Sequence, residues 1–144
     1  MRDPIEFIVP GKAVPWARAR LSRAGFHYTD AKTRAYESMV GTLAKIAMHG
    51  GAIIEGAVSV DIAVILSPPT ALPKKIRELF MSESIPAPTG ADVDNFAKAI
   101  FDGMNEVVFK DDRQVARLTV SKAYGREPHV LVRVSELPTA DFQA

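Results

Sequence analysis

Tyr36, Met39, Val40, Leu43 and Ala47 recur at three- and four-residue spacing, and Gly50-Gly51 closes the run. That period belongs to one face of an α-helix and predicts a helix over Ala31–His49. The segments on either side of it have a different period. "IEFIVPG" alternates apolar and polar residues before Pro10-Gly11, which predicts a strand over Ile5–Val9. "AVSVDIAVIL" is rich in Val and Ile and stops ahead of Pro68-Pro69, which predicts a buried strand over Ala57–Leu66. A helix carried between strands excludes an all-helical bundle and an all-β sandwich.

The remaining segments extend the pattern. A short amphipathic helix is expected over Pro73–Ser82, followed by the Pro-rich link "SIPAPTGA". "DVDNFAKAIFDGMN" reads as a helix ended by Gly103 or Asn105, and "EVVFKDD" as a short strand and turn. "QVARLTVSKAYG" and "HVLVRVSEL" flank "GREP" in the manner of a β-hairpin. Between the first strand and first helix lies a long basic loop, with an extended piece expected at Phe26–Thr29. The expectation is an α+β fold: a small mixed β-sheet with packed helices, one domain over residues 1–144, with a frayed tail over 138–144.

Among the 144 residues there is no cysteine, which removes disulfides, thiolate metal sites and thiol nucleophiles. No apolar run reaches the length of a signal or a membrane span, so a cytoplasmic protein without a membrane segment is expected. The formal net charge of +1 conceals a division. From Lys12 to Arg34 six cations (Lys12, Arg18, Arg20, Arg23, Lys32, Arg34) face the single acid Asp30, a net of +5. From Asp92 to Asp112 six acids face Lys98 and Lys110, a net of −4. A protein that holds a polyanion and also binds cations needs both segments.

Asp92 and Asp94 point to one side if the chain is still extended where it enters the helix. Within the helix, Asp94, Lys98 and Asp102 form one row, while Phe96, Ala99, Ile100 and Gly103 face the core. A strand returning beside the helix start brings Asp112 to Asp92 and Asp94. Three carboxylates and a lysine make a hard-oxygen site suited to Mg²⁺ or Mn²⁺, which polarises a phosphoryl oxygen and activates water. Each part also has a plainer reading. Asp94 suits a helix N-cap, Asp111-Asp112 a solvated turn, and Lys98–Asp102 an ordinary helical ion pair. A calcium loop is excluded because Phe96 and Ala97 stand at its fifth and sixth positions. There is no P-loop and no G-x-G-x-x-G, His27, His49 and His129 lack zinc spacing, and no serine sits in a nucleophile elbow.

"DVDNFAKAIFDGMN…VFKDDRQV" resembles the RusA-type Holliday junction resolvases, whose core reads roughly D-x-D-N-x-x-K-x-x-x-D-x-L-N and then D-D-x-Q-[VI]. Asp92, Asp94, Asn95, Lys98, Asp102, Asn105, Asp111, Asp112, Gln114 and Val115 all fall in register. "FIVPGKAVPWARAR" and "YTDAKTRAYE" resemble the family's first strand, basic loop and first helix, and Lys122 follows in the usual place. The resemblance implies a RusA-like fold and a Mg²⁺-dependent homodimer that nicks four-way junction DNA at two symmetric positions. It implies Asp92, Asp94 and Asp112 as metal-binding catalytic carboxylates, Lys98 as the basic residue beside them, and Asn95 and Asp111 in support. Two departures stand out. "TGA" occupies the place where a basic residue often precedes the first catalytic Asp, leaving Lys74 or Lys75 to supply that contact, and Met104 replaces Leu.

The basic loop suits phosphate contact, through Lys12, Arg18, Arg20, Arg23, Lys32 and Arg34. Trp16 and Phe26 either stack on bases or, the favoured reading, pack in the core. Two other functions stay open at this level: a non-catalytic DNA-binding protein, and a metal-dependent nuclease acting on flap or single-stranded DNA. Two-fold cutting asks for a dimer, for which the strand "AVSVDIAVIL" and the helix face of Tyr36, Met39 and Val40 offer surfaces.

Overall fold

A computed structural model describes residues 2–17, 20–21, 23–25, 27–28 and 30–138. Its elements in chain order are β1 (Ile5–Pro10), β2 (Arg20–Leu21), β3 (His27–Tyr28), α1 (Ala31–Ala47), β4 (Val58–Leu66), α2 (Lys74–Ser82), α3 (Val93–Met104), a 3₁₀ turn (Asp112–Gln114), β5 (Val115–Tyr124) and β6 (His129–Glu136). Four strands form one mixed sheet in the order β1-β6-β4-β5, and β2 and β3 make a small separate ladder. This is the expected α+β architecture.

The alternation read in the sequence becomes rows across the sheet. Ile5, Val134, Val60 and Leu118 stand side by side, as do Phe7, Val132, Ile62 and Val120. The third row is Val9, Val130, Val64 and Lys122. Apart from the residues on β5, these side chains are buried, and α1 and α3 cover them. On the opposite face Glu6, Arg133, Asp61 and Thr119 form one row, and Ile8, Leu131, Ala63 and Ser121 the next. They line an open groove.

Helix α1 begins where Asp30 accepts the Lys32 N–H at 2.9 Å, satisfying one of the amides a helix start leaves free. It ends at Ala47, two residues before the expected His49, because His49 and Gly50 both take positive φ. Tyr36 and Val40, read as a possible dimer surface, are instead buried against the sheet and α3. The two helices cross with little clearance. A methyl group added to Gly103 would stand 2.6 Å from Val40 and 2.9 Å from the Glu37 carbonyl.

The sheet corrects the hairpin expectation. β5 and β6 are not paired with each other: β4 lies between them, parallel to β5 and antiparallel to β6. The link 125–128 steps over the end of β4, where Gly125 N–H donates to Leu66 O at 2.9 Å. Any side chain at Gly125 would run into the Ile65 side chain, so the crossing needs glycine. "GREP" marks a reversal, as read, but nothing local says that a third strand fills the gap.

"EVVFKDD" does not form the expected strand. Val107 and Val108 N–H groups both donate to Met104 O, and Glu106 takes φ +66°, so the chain turns back at once from the end of α3. Only Phe109 reaches other backbone as a bridge, to Ile54 and Asn105. The apolar residues that suggested a strand, Val108 and Phe109, are fully buried core instead. In the basic loop the expected extended piece is present as β3, with Phe26 and Thr29 outside the described residues. No described helix is long and apolar enough to cross a membrane.

Candidate active site

Asp92 is the N-cap of α3, still extended at φ −65° and ψ 146°, and Asp94 lies in the first turn. The cap position therefore falls to Asp92, not to Asp94. The Asp92 carbonyl accepts the amides of Asn95 at 3.1 Å and Phe96 at 3.2 Å, while its carboxylate makes no capping bond. Both carboxylates are exposed. Asn95 joins the helix to the basic loop through its backbone, its carbonyl accepting the Trp16 N–H at 2.9 Å. Trp16 itself packs against the core, the reading the sequence favoured.

One turn on, Lys98 Nζ donates to Asp102 Oδ1 at 3.1 Å and stands 3.6 Å from Asp112 Oδ2. The helical row and the returning segment thus meet at one ammonium. Its pKa is held above the usual lysine value, first by the hydrogen bond to Asp102; burial opposes this next, and the charges of Asp102 and Asp112 and a weaker hydrogen bond to Asp112 add to the rise.

Asp111 and Gln114 build the turn that presents Asp112. Asp111 Oδ1 accepts the Arg113 N–H at 2.9 Å, and this bond leads the causes that hold its carboxyl below the usual range. Gln114 Oε1 accepts the amides of Lys110 and Asp111 at 2.8 and 3.1 Å. Gln114 Nε2 donates to Ile54 O and Gly56 O at 2.8 and 2.9 Å. The turn is thereby bolted to the chain leading into β4.

Three contributors were not assigned a role by sequence reasoning. Glu37 reaches the cluster from α1: burial raises its pKa first, Asp102 raises it further, and Lys98 opposes both. Gln114 was visible only as part of a motif, with no sign of its four backbone partners. Lys122 Nζ donates to Thr89 O and Ala91 O, both at 3.0 Å, directly ahead of Asp92. Glu37 carries no distinguishing sequence signal, since its partners lie on a helix about 60 residues away.

The donor set is all carboxylate, which suits a hard divalent cation. Among the described residues no three His, Asp or Glu side chains lie close enough to enclose one ion as they stand. Of the basic residues, Lys12, Arg23, Lys32 and Arg34 are exposed. Arg18 and the Arg20 side chain lie outside the described residues. Lys74 and Lys75, at the start of α2, are exposed as well.

Residues 10–135 match the family model described as Endodeoxyribonuclease RusA. An uncharacterized protein of Bacillus subtilis (strain 168), YqaN, is 34% identical over 140 residues, covering 94% of this chain and 98% of the relative.

Proposed function

Because the chain belongs to the RusA endodeoxyribonuclease family, we propose that it is a Mg²⁺-dependent endodeoxyribonuclease that resolves four-way DNA junctions by paired symmetric nicks. The observation that carries this reading is Lys98, which ties the row from Asp94 to Asp102 to Asp112 on a separate turn. Asp92, Asp94 and Asp112 would hold the cation, with Mn²⁺ as a substitute, and the bound ion would polarise the scissile phosphate and lower the pKa of water. To converge on one ion the three carboxylates would have to draw closer than they stand.

The chain's own residues have separable roles in this proposal. Lys98, beside Asp112, would neutralise charge building on the phosphate oxygens. Asp111 and Gln114 keep the Asp112 turn rigid, and Asn95 anchors the basic loop to the start of α3. Lys12, Arg18, Arg20, Arg23, Lys32 and Arg34 contact backbone phosphates and set the register of the DNA, with Lys74 or Lys75 supplying a further phosphate contact. Two equivalent cuts ask for two such sites, hence a homodimer with a two-fold axis. With Tyr36 and Val40 used in the core, the open sheet face of Ile8, Leu131 and Ala63 is the surface proposed for it. The setting proposed is the cytoplasm, where recombining DNA is found.

The test is cleavage of a synthetic four-way junction beside matched duplex and flap DNA. Paired nicks in the junction alone support the proposal. Cleavage of flap or single strands in preference to the junction would replace it.

A further inference from the structure

Lys122 is a cation beside the segment that leads into Asp92, and its ammonium is turned to the protein backbone. It closes the row Val9–Val130–Val64, on the helix-covered side of the sheet. Its ammonium meets Thr89 O and Ala91 O at 3.0 Å each. These two carbonyls flank Gly90, whose φ of +87° turns the strap so that both face one donor. The peptide of Ala91 is the last before Asp92, so its orientation sets where the Asp92 Cα enters α3.

Neighbouring contacts secure the rest of the strap to the same strand. Ala87 N–H donates to Lys122 O at 3.1 Å, and Tyr124 N–H donates to Ile85 O at 3.0 Å. The Tyr124 and Thr89 hydroxyls are 3.0 Å apart, and Phe80 stacks on the Tyr124 ring with centroids 5.5 Å apart. Asp92, by contrast, has no capping bond from its own carboxylate. Its position depends on the backbone that delivers it.

We propose that Lys122 is a positioning residue: it holds the 89–91 backbone so that Asp92 projects into the carboxylate cluster, and it does not contact DNA. A charge-assisted hydrogen bond to a carbonyl is stronger than a neutral one, and two to a single ammonium restrict the strap at the point of delivery. The inference rests on the metal-dependent nuclease reading for its consequence, but the tethering itself can be measured without it.

The experiment compares Lys122→Met and Lys122→Arg with the wild-type chain. In Lys122→Met, hydrogen exchange at the hydrogen-bonded amides that flank the tethered backbone, Ala87, Asn95 and Phe96, should quicken at least about tenfold while the sheet core is unchanged. Mn²⁺ binding, read by electron paramagnetic resonance, should weaken by about 10- to 100-fold, as for other groups that orient metal ligands. Junction affinity without added metal, and its salt dependence, should stay as in wild type. Lys122→Arg keeps two donors and should recover most of both losses. Unchanged exchange in Lys122→Met overturns the proposal whatever the activity. So does a metal-free loss of junction affinity with a salt slope reduced by about one, which marks a phosphate contact. If the wild-type chain neither binds Mn²⁺ nor cuts junctions, the nuclease reading fails, and the exchange comparison still decides the role of Lys122.

Discussion

Lys98 stands between two carboxylates that belong to different parts of the chain, 3.1 Å from Asp102 on its own helix and 3.6 Å from Asp112 on the turn before β5. The Lys98–Asp102 pair alone would be an ordinary helical contact. Its extension to Asp112 makes the ammonium a bridge between the helix and the returning segment. The contact to Asp112 is the longer and weaker of the two.

Asp94→Asn should reduce junction cleavage by at least about 100-fold, a loss of the size seen when a preorganised charge is removed. Binding should be equal or tighter, because one negative charge facing phosphate is gone. Gel shift followed by addition of Mg²⁺ separates the two effects. Full activity in the variant would remove Asp94 from the mechanism.

Mg²⁺ and Mn²⁺ should support nicking, and Ca²⁺ should permit binding with little chemistry, being larger and more loosely coordinated. Activity that persists undiminished in EDTA would contradict the metal requirement.

Gln114→Ala removes four hydrogen bonds at once and leaves Ile54 O and Gly56 O to find water. A loss of about 2 kcal/mol in unfolding stability is expected, since each half-buried bond nets a fraction of its gross strength. Urea denaturation measures it. A loss below about 0.5 kcal/mol would mean the turn is held by other contacts.

The Tyr36 hydroxyl is buried without a partner among the described residues, and burial pushes its pKa up to about 12 from an ordinary 10.0. The unfolded chain ionises first, so the stability specific to this phenol is intact below pH 10.0 and is lost as pH rises toward about 12. In Tyr36→Phe that loss should vanish. The variant should gain about 2 kcal/mol relative to wild type across the window, from a shift of roughly two units. Parallel unfolding curves for the two proteins between these limits would refute the assignment.

A mixed dimer of wild type and Asp112→Asn should nick one junction strand and lose or strongly slow the second cut. Sedimentation should give roughly twice the 15.7 kDa chain mass. A chain that stays monomeric at micromolar concentration, with and without junction DNA, would end the paired-nick model.

Legibility in the sequence followed range. α1, β1, β4 and α3 each carry their own periodicity, and their bounds agree with the expectation to within two residues. The carboxylates Asp92, Asp94 and Asp112 could be singled out because their spacing is itself a motif. Pairing was less legible. Two strands joined by four residues read as a hairpin, and only the ladder shows that Val60 and Ile62 of β4 stand between them. Val108 and Phe109 misled for a similar reason, since a short apolar run looks the same in a strand and in a buried turn. Lys122 was recognised as being in place, but its carbonyl partners are about 30 residues distant in the chain and invisible to any local pattern.

The position of β6 between β1 and β4 has a consequence for the order in which the protein is made. Ile5 is translated well before Val134, its partner in the sheet. β1 and β4 have no ladder in common, so the first strand has no seat in the sheet until β6 has been synthesised. Such distant pairing is slow, and it leaves early segments without their partners during synthesis. The acidic cluster is translated before β6 but acquires its full scaffold only afterwards. A translation product that stops short of β6 therefore carries Asp92, Asp94 and Asp112 with only the β4–β5 ladder of the main sheet available to hold them.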